Sequence, residues 1–119
     1  MSNSVNMVIY GEPCSKANSR RLVKSKSGRP LFIKSQKALA YVKSFGEQCK
    51  TLDPLMEDDV AVLIKIYYGS RRPDLDESLI LDCMQGLIYK NDRQVKEKHV
   101  IWGGVDKENP RAEISVRYL

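Results

Sequence analysis

Residues Asp59 to Tyr68 constrain the fold more than any other stretch of the chain. Val60, Val62, Ile64, Ile66 and Tyr68 make one unbroken apolar row at every second position. In the other row Ala61, Leu63 and Tyr67 leave Lys65 as the one polar residue. Side chains alternate between the two faces of a strand, and a strand apolar on nearly both rows belongs in the middle of a sheet. Other strands must therefore flank it, and helices must cover it.

The rest of the chain offers those partners. Val5 to Tyr10 reads as a first strand, ended by Gly11-Glu12-Pro13. Leu22-Val23 and Leu31-Phe32-Ile33 flank the basic stretch 24–30, which predicts a hairpin with a basic tip; a solvated loop and a phosphate-contacting finger are equally good readings of that tip. Ser35 is placed to cap a helix running to about Lys50, with Ala38, Tyr41, Val42, Phe45 and Cys49 as its apolar stripe. A second helix is predicted from about Leu75 to Leu87, with Leu75 turned into the core and Asp82 on a mostly apolar face. A buried carboxylate needs a partner, so Asp82 meets either a backbone amide or a lysine, or a metal site. Val95 to Trp102 reads as a further strand with Gly103-Gly104 as its turn. Ala112, Ile114, Val116 and Tyr118 alternate with polar residues in a half-buried last strand. The fold class is α+β: a small mixed sheet of about four to five strands packed by two main helices, in one domain spanning residues 1–119.

Composition narrows the function. The net charge of +5 is compatible with nucleic acid without requiring it. The three cysteines, Cys14, Cys49 and Cys83, form no CxxC, so a zinc site or a disulfide scaffold is not expected. There is no signal-peptide pattern and no apolar run of membrane-spanning length, which predicts a soluble, cytoplasmic protein with no membrane partner. The single histidine, His99, is assigned no role.

The chemistry concentrates in Arg71-Arg72-Pro73-Asp74-Leu75-Asp76, directly after the central strand, with Asn91-Asp92 downstream. In an extended segment, residues two apart point the same way, so Asp74 and Asp76 would present both carboxylates to one side. Such a pair repels itself unless a cation lies between. Mg²⁺ takes one or two carboxylates with water and substrate phosphate, and arginines suit that phosphate. The competing reading is structural. Asp74 with Glu77 fits a helix cap and its box partner, and Asn91-Asp92 is a common turn pair.

These elements occur in a familiar order: Gly11-x-Pro13-x-Ser15-Lys16-x-Asn18-Ser19-Arg20, then Arg71-Arg72-Pro73-Asp74-Leu75-Asp76, then Asp82, then Asn91-Asp92-x-Gln94-Val95. In that order the chain resembles the RusA-type Holliday junction resolvases of bacteria and their phages. The resemblance implies a small α+β fold, a homodimer, and a Mg²⁺- or Mn²⁺-dependent endonuclease that cuts four-way DNA junctions symmetrically in recombination and repair. It makes Asp74, Asp76 and Asp92 the catalytic, metal-binding carboxylates, with Asp82 at a further acidic position. The chain departs from the family pattern at Glu77, where Asn is usual, at Ile80, where Lys is frequent, and at Asn91, the first position of the usual acidic pair. Lys90 and Lys96 are candidate replacements for that lysine. Lys16, Arg20, Arg71, Arg72 and Lys90 are the expected contacts to backbone phosphates. A non-catalytic branched-DNA-binding protein of the same fold is the alternative.

Overall fold

The structure, a computed structural model, describes residues 4–15 and 20–119; for Arg20, Arg21, Leu31 and Phe32 it describes the backbone alone. Strand β1 (Ser4–Tyr10) is followed by a hairpin of β2 (Arg20–Lys24) and β3 (Pro30–Lys34), then by helix α1 (Gln36–Gln48) and strand β4 (Val60–Tyr68). Helix α2 (Ser78–Met84), a 3-10 turn (Asp92–Gln94), β5 (Val95–Val105) and β6 (Arg111–Tyr118) complete the chain. Four strands form one sheet in the order β1-β6-β4-β5, and β2 and β3 form a separate ribbon. β4 pairs antiparallel with β6 and parallel with β5, so the sheet is mixed and β4 is interior, as its two apolar rows predict.

Only one of those rows is buried along its whole length. Val60, Val62, Ile64, Ile66 and Tyr68 are buried beneath the helices with Ala38, Tyr41 and Phe45 of α1 and Leu79, Ile80, Cys83 and Met84 of α2. On the opposite face Leu63, Val8 and Ile101 are exposed and line an open groove of about 600 Å³. In the second apolar row of β4, Ala61 is buried, but among the described residues no layer covers Leu63.

Helix α1 begins as its sequence predicts, with the Ser35 hydroxyl accepting from the Ala38 N–H at 3.2 Å. Near its far end Gln48 clamps the end of β1: its Oε1 accepts from the Tyr10 N–H at 2.7 Å and its Nε2 donates to the Tyr10 carbonyl at 2.8 Å. The three cysteines are buried and free.

Two predicted boundaries are corrected. The second helix starts at Ser78 and ends at Met84, shorter than residues 75–87. Leu75 is 38% exposed and lies outside the core, because residues 69–77 form an irregular loop whose backbone is bound elsewhere. Gly103-Gly104 is not a turn. β5 runs through it to Val105, and the pair forms a bulge against β4, with Ile66 opposite Trp102 and Tyr67 opposite Gly104. The glycines are required there. A Cβ on Gly103 would meet the Tyr67 ring at 2.8 Å, and Gly104 has φ of +128°, which side-chain-bearing residues rarely adopt.

Candidate active site

The loop after β4 is held by the last residue of that strand. Tyr68 is buried, and its hydroxyl donates to the Asp74 carbonyl at 3.0 Å and accepts from the Asp76 N–H at 3.2 Å. One side chain thus ties down the backbone on both sides of Leu75. The Asp76 carboxylate caps the start of α2: its Oδ1 accepts from the Ser78 N–H at 2.9 Å and from the Ser78 hydroxyl at 2.6 Å. The predicted cap was Asp74 with Glu77; the cap is Asp76, and Glu77 makes no side-chain capping bond. Asp74 is exposed, and its carboxylate makes no hydrogen bond or ion pair with any described residue. The same holds for the side chains of Arg71 and Arg72.

A further acid joins this end of the sheet from β1. The Gly11 N–H donates to the Pro110 carbonyl at 2.8 Å, and the turn brings Glu12 over the end of β4, where a Cβ on Gly69 would lie 3.4 Å from Glu12 Oε2. Burial pushes the Tyr68 phenol above its usual range, the Asp76 N–H it accepts from pulls it back, and the carboxylates of Asp76, Glu12 and Glu77 push it up again. The charges of those three acids therefore all act on one buried hydroxyl.

A second group of acids surrounds Tyr89, which is fully buried and donates to the Leu81 carbonyl at 2.7 Å. Burial and then the nearby Asp92 and Asp82 carboxylates raise its pKa strongly. Asp82 is exposed and partnerless among the described residues, which overturns its expected burial: α2 buries Leu79, Ile80, Cys83 and Met84, so position 82 faces outward. Asp92 is exposed at the start of the 3-10 turn, where its N–H donates to Gln85 Oε1 at 3.0 Å.

The geometry explains the Asn-Asp-x-Gln pattern. Asn91 caps the turn, and Gln94 Oε1 accepts from the Asn91 N–H at 2.9 Å. Gln94 Nε2 donates to the Met56 and Asp58 carbonyls at 2.8 and 3.0 Å. Asp92 is held at the edge of this fully bonded corner.

Lys98 of β5 lies between the two groups. Its Nζ sits 2.8 Å from Glu77 Oε1, and Lys98 and Asp92 line one open pocket of about 260 Å³ with Leu81, Val95, Lys96 and Glu97. Among the lysines suggested by sequence, Lys96 borders this pocket, whereas Lys90 pairs with Glu57 at 2.7 Å with both side chains largely exposed. Lys16 lies outside the described residues, as does the Arg20 side chain.

The acids carry the hard oxygen donors that magnesium prefers. They do not gather around one point, however: among the described residues no group of three or more His, Cys, Asp or Glu side chains could hold a metal ion. Glu12, Tyr68 and Lys98 were not singled out from sequence. Tyr68 carried one usable signal, a polar-tipped aromatic at the strand end directly before the acidic loop. Nothing local marked Glu12 or Lys98, because each reaches its neighbours across the sheet.

No curated protein matches this chain. The family model described as endodeoxyribonuclease RusA matches residues 11–117, a span that contains every acid, arginine and lysine placed above, and the chain belongs to that family.

Proposed function

We propose that this chain, acting as one endonuclease domain, resolves four-way DNA junctions by paired symmetric cuts, as a homodimer that requires Mg²⁺ or Mn²⁺, in recombination and repair. The family is one of endodeoxyribonucleases that act on branched DNA junctions. The observation that carries the reading for this chain is the Tyr68 clamp. It spends a buried hydroxyl on positioning the backbone of Asp74 and Asp76 beside two arginines whose guanidinium groups have no partner among the described residues.

Pre-positioned groups save the cost of ordering them when substrate arrives. Arg71 and Arg72 would bind phosphates of the backbone, a salt-sensitive and sequence-independent contact. Asp74, Asp76 and Asp92 are the proposed catalytic carboxylates, with Asp82 as a further metal-binding acid. A divalent ion that keeps its waters and takes substrate phosphate needs only one or two protein carboxylates, and Asp74 and Asp76 are the pair proposed to supply them. The uncovered strip of Val8, Leu63 and Ile101 supports a homodimer, since an exposed apolar patch on a sheet commonly marks an interface. A two-fold dimer matches the symmetry of paired incisions.

The test is a synthetic four-way junction incubated with Mg²⁺ or with EDTA, using the wild-type protein and Asp76→Asn. Paired nicks in Mg²⁺, absent in EDTA and reduced about 10²–10⁴-fold in the variant, are the expected result. The lack of a gathered three-acid group favours a second reading, a branched-DNA-binding protein without catalysis. Salt-sensitive junction binding by the wild type, with no nicks under any divalent ion, would establish that reading instead.

A further inference from the structure

Trp102 is the only tryptophan in the chain and is 38% exposed. It precedes the Gly103-Gly104 bulge of β5, and such bulges re-aim the side chains beside them. Its indole stacks on the Tyr68 ring, with centroids 5.1 Å apart and planes 25° from parallel. Indole surface also lines an open pocket of about 670 Å³ with Arg71, Gly104 and Val105. The guanidinium of Arg71 has no partner among the described residues. The ring behind the indole belongs to Tyr68, whose hydroxyl holds Asp74 and Asp76.

The pocket therefore offers a flat aromatic surface braced from behind, a neighbouring cation, and a wall with no side chain at Gly104. A nucleotide presents the matching pair, a base with a π-face and an anionic phosphate. Aromatic side chains bind bases by stacking irrespective of sequence. In a continuous duplex the base faces are hidden in the stack, whereas a branch point exposes them. We infer that Trp102 is the stacking platform for a nucleobase left unstacked at the branch point of the DNA, with Arg71 on a phosphate of the same strand. The inference rests on the nuclease reading for its substrate and adds to it a means of telling a junction from a plain duplex.

Because Trp102 is the sole tryptophan, the wild-type protein carries its own reporter. Tryptophan emission and the anisotropy of fluorescently labelled DNA are followed together in EDTA. The probes are a four-way junction and a linear duplex of the same sequence, each brought to saturation. Cleavage of the junction in Mg²⁺ is measured in parallel. The expected result is a change in Trp102 emission with the junction well beyond that with the duplex. Trp102→Ala should lower junction affinity about tenfold, a loss that Trp102→Phe largely restores. Equal emission changes with both DNAs would overturn the assignment to a branch-point base. Saturated junction binding with unchanged emission would overturn the stacking itself, and continued cleavage in that case would leave the nuclease reading standing. Absence of both binding and cleavage would overturn the two together. A merely structural role for Trp102 predicts no junction-specific change of emission, so loss of folding in Trp102→Ala would not spare the proposal from the wild-type measurement.

Discussion

Tyr68 and Tyr89 are both buried, and both spend their hydroxyls on backbone, yet they hold their neighbourhoods differently. Tyr68 uses its hydroxyl twice, donating to Asp74 and accepting from Asp76, so it shapes a loop with no regular structure of its own. Tyr89 donates once, to the Leu81 carbonyl within α2, so it adds to an element that already has helical bonds and a buried apolar face. Acids crowd both hydroxyls: Glu12, Asp76 and Glu77 near the first, Asp92 and Asp82 near the second. The lesson is that similar electrostatic surroundings do not imply similar work. The Tyr68 hydroxyl sets where acids stand, whereas the Tyr89 hydroxyl keeps the scaffold closed.

The largest effect should come from Tyr68→Phe. It keeps the ring that packs on Trp102 but leaves the Asp76 N–H and the Asp74 carbonyl without their partner. Removing a group that orients the residues of an active centre typically costs 10–100-fold in activity, and an unsatisfied buried donor costs about 1–3 kcal/mol of stability. Junction cleavage should fall by that factor while junction binding changes little. Unaltered cleavage would break the comparison, since the clamp would then be only structural.

Alkaline pH should reach the Tyr89 side through Cys83. Burial, helped by Asp82, pushes the Cys83 thiol of α2 up to about 12 from its usual 9.0. Burial also raises Tyr89 strongly. A folded-state pKa above the unfolded one means that the native protein holds its proton longer. This stability is complete below pH 9, where the unfolded thiol is still protonated, and is lost as pH climbs toward 12. For Cys83 the three units between those values amount to at most about 4 kcal/mol. Chemical denaturation between pH 8 and 11 should show a falling midpoint, less steep in Cys83→Ala than in the wild type. A midpoint flat across that range would rule the effect out.

Tyr89→Phe is the smaller counterpart of Tyr68→Phe. It deprives the Leu81 carbonyl of one donor, a loss of about 1 kcal/mol, or about 4 °C in Tm for a domain of this size. Cleavage per folded molecule should not change. If it fell as far as in Tyr68→Phe, the two tyrosines would be doing the same work.

The same contrast explains what the sequence could reveal. β4, β6 and the Ser35 cap of α1 follow from patterns within a few residues, and the structure keeps them. The start of α2 does not. Leu75 and Leu79 have helical spacing, but the backbone around Leu75 is bound to Tyr68, a partner that no periodicity reveals. Within α2 the buried face is Leu79, Ile80, Cys83 and Met84, which leaves Asp82 outward. Gly103-Gly104 carries the composition of a turn, yet parallel pairing with β4 continues through it. For the site, sequence named the acids and arginines that the loop carries. It missed Glu12 and Lys98, whose neighbours lie on other strands and loops.

Lys98 supplies the last and smallest test, because it is a charged link between the two neighbourhoods, joined to Glu77 on one side and sharing a pocket with Asp92 on the other. Its side chain is about half exposed, at 49%, although that of Glu77 is only 18% exposed. Ion pairs with an exposed partner contribute about 0.2–1 kcal/mol. A double-mutant cycle with Glu77→Gln and Lys98→Met should therefore return a coupling below about 1 kcal/mol. A coupling of several kcal/mol would mean that the two tyrosines serve a single rigid unit, and the effects of Tyr68→Phe and Tyr89→Phe would then fail to add.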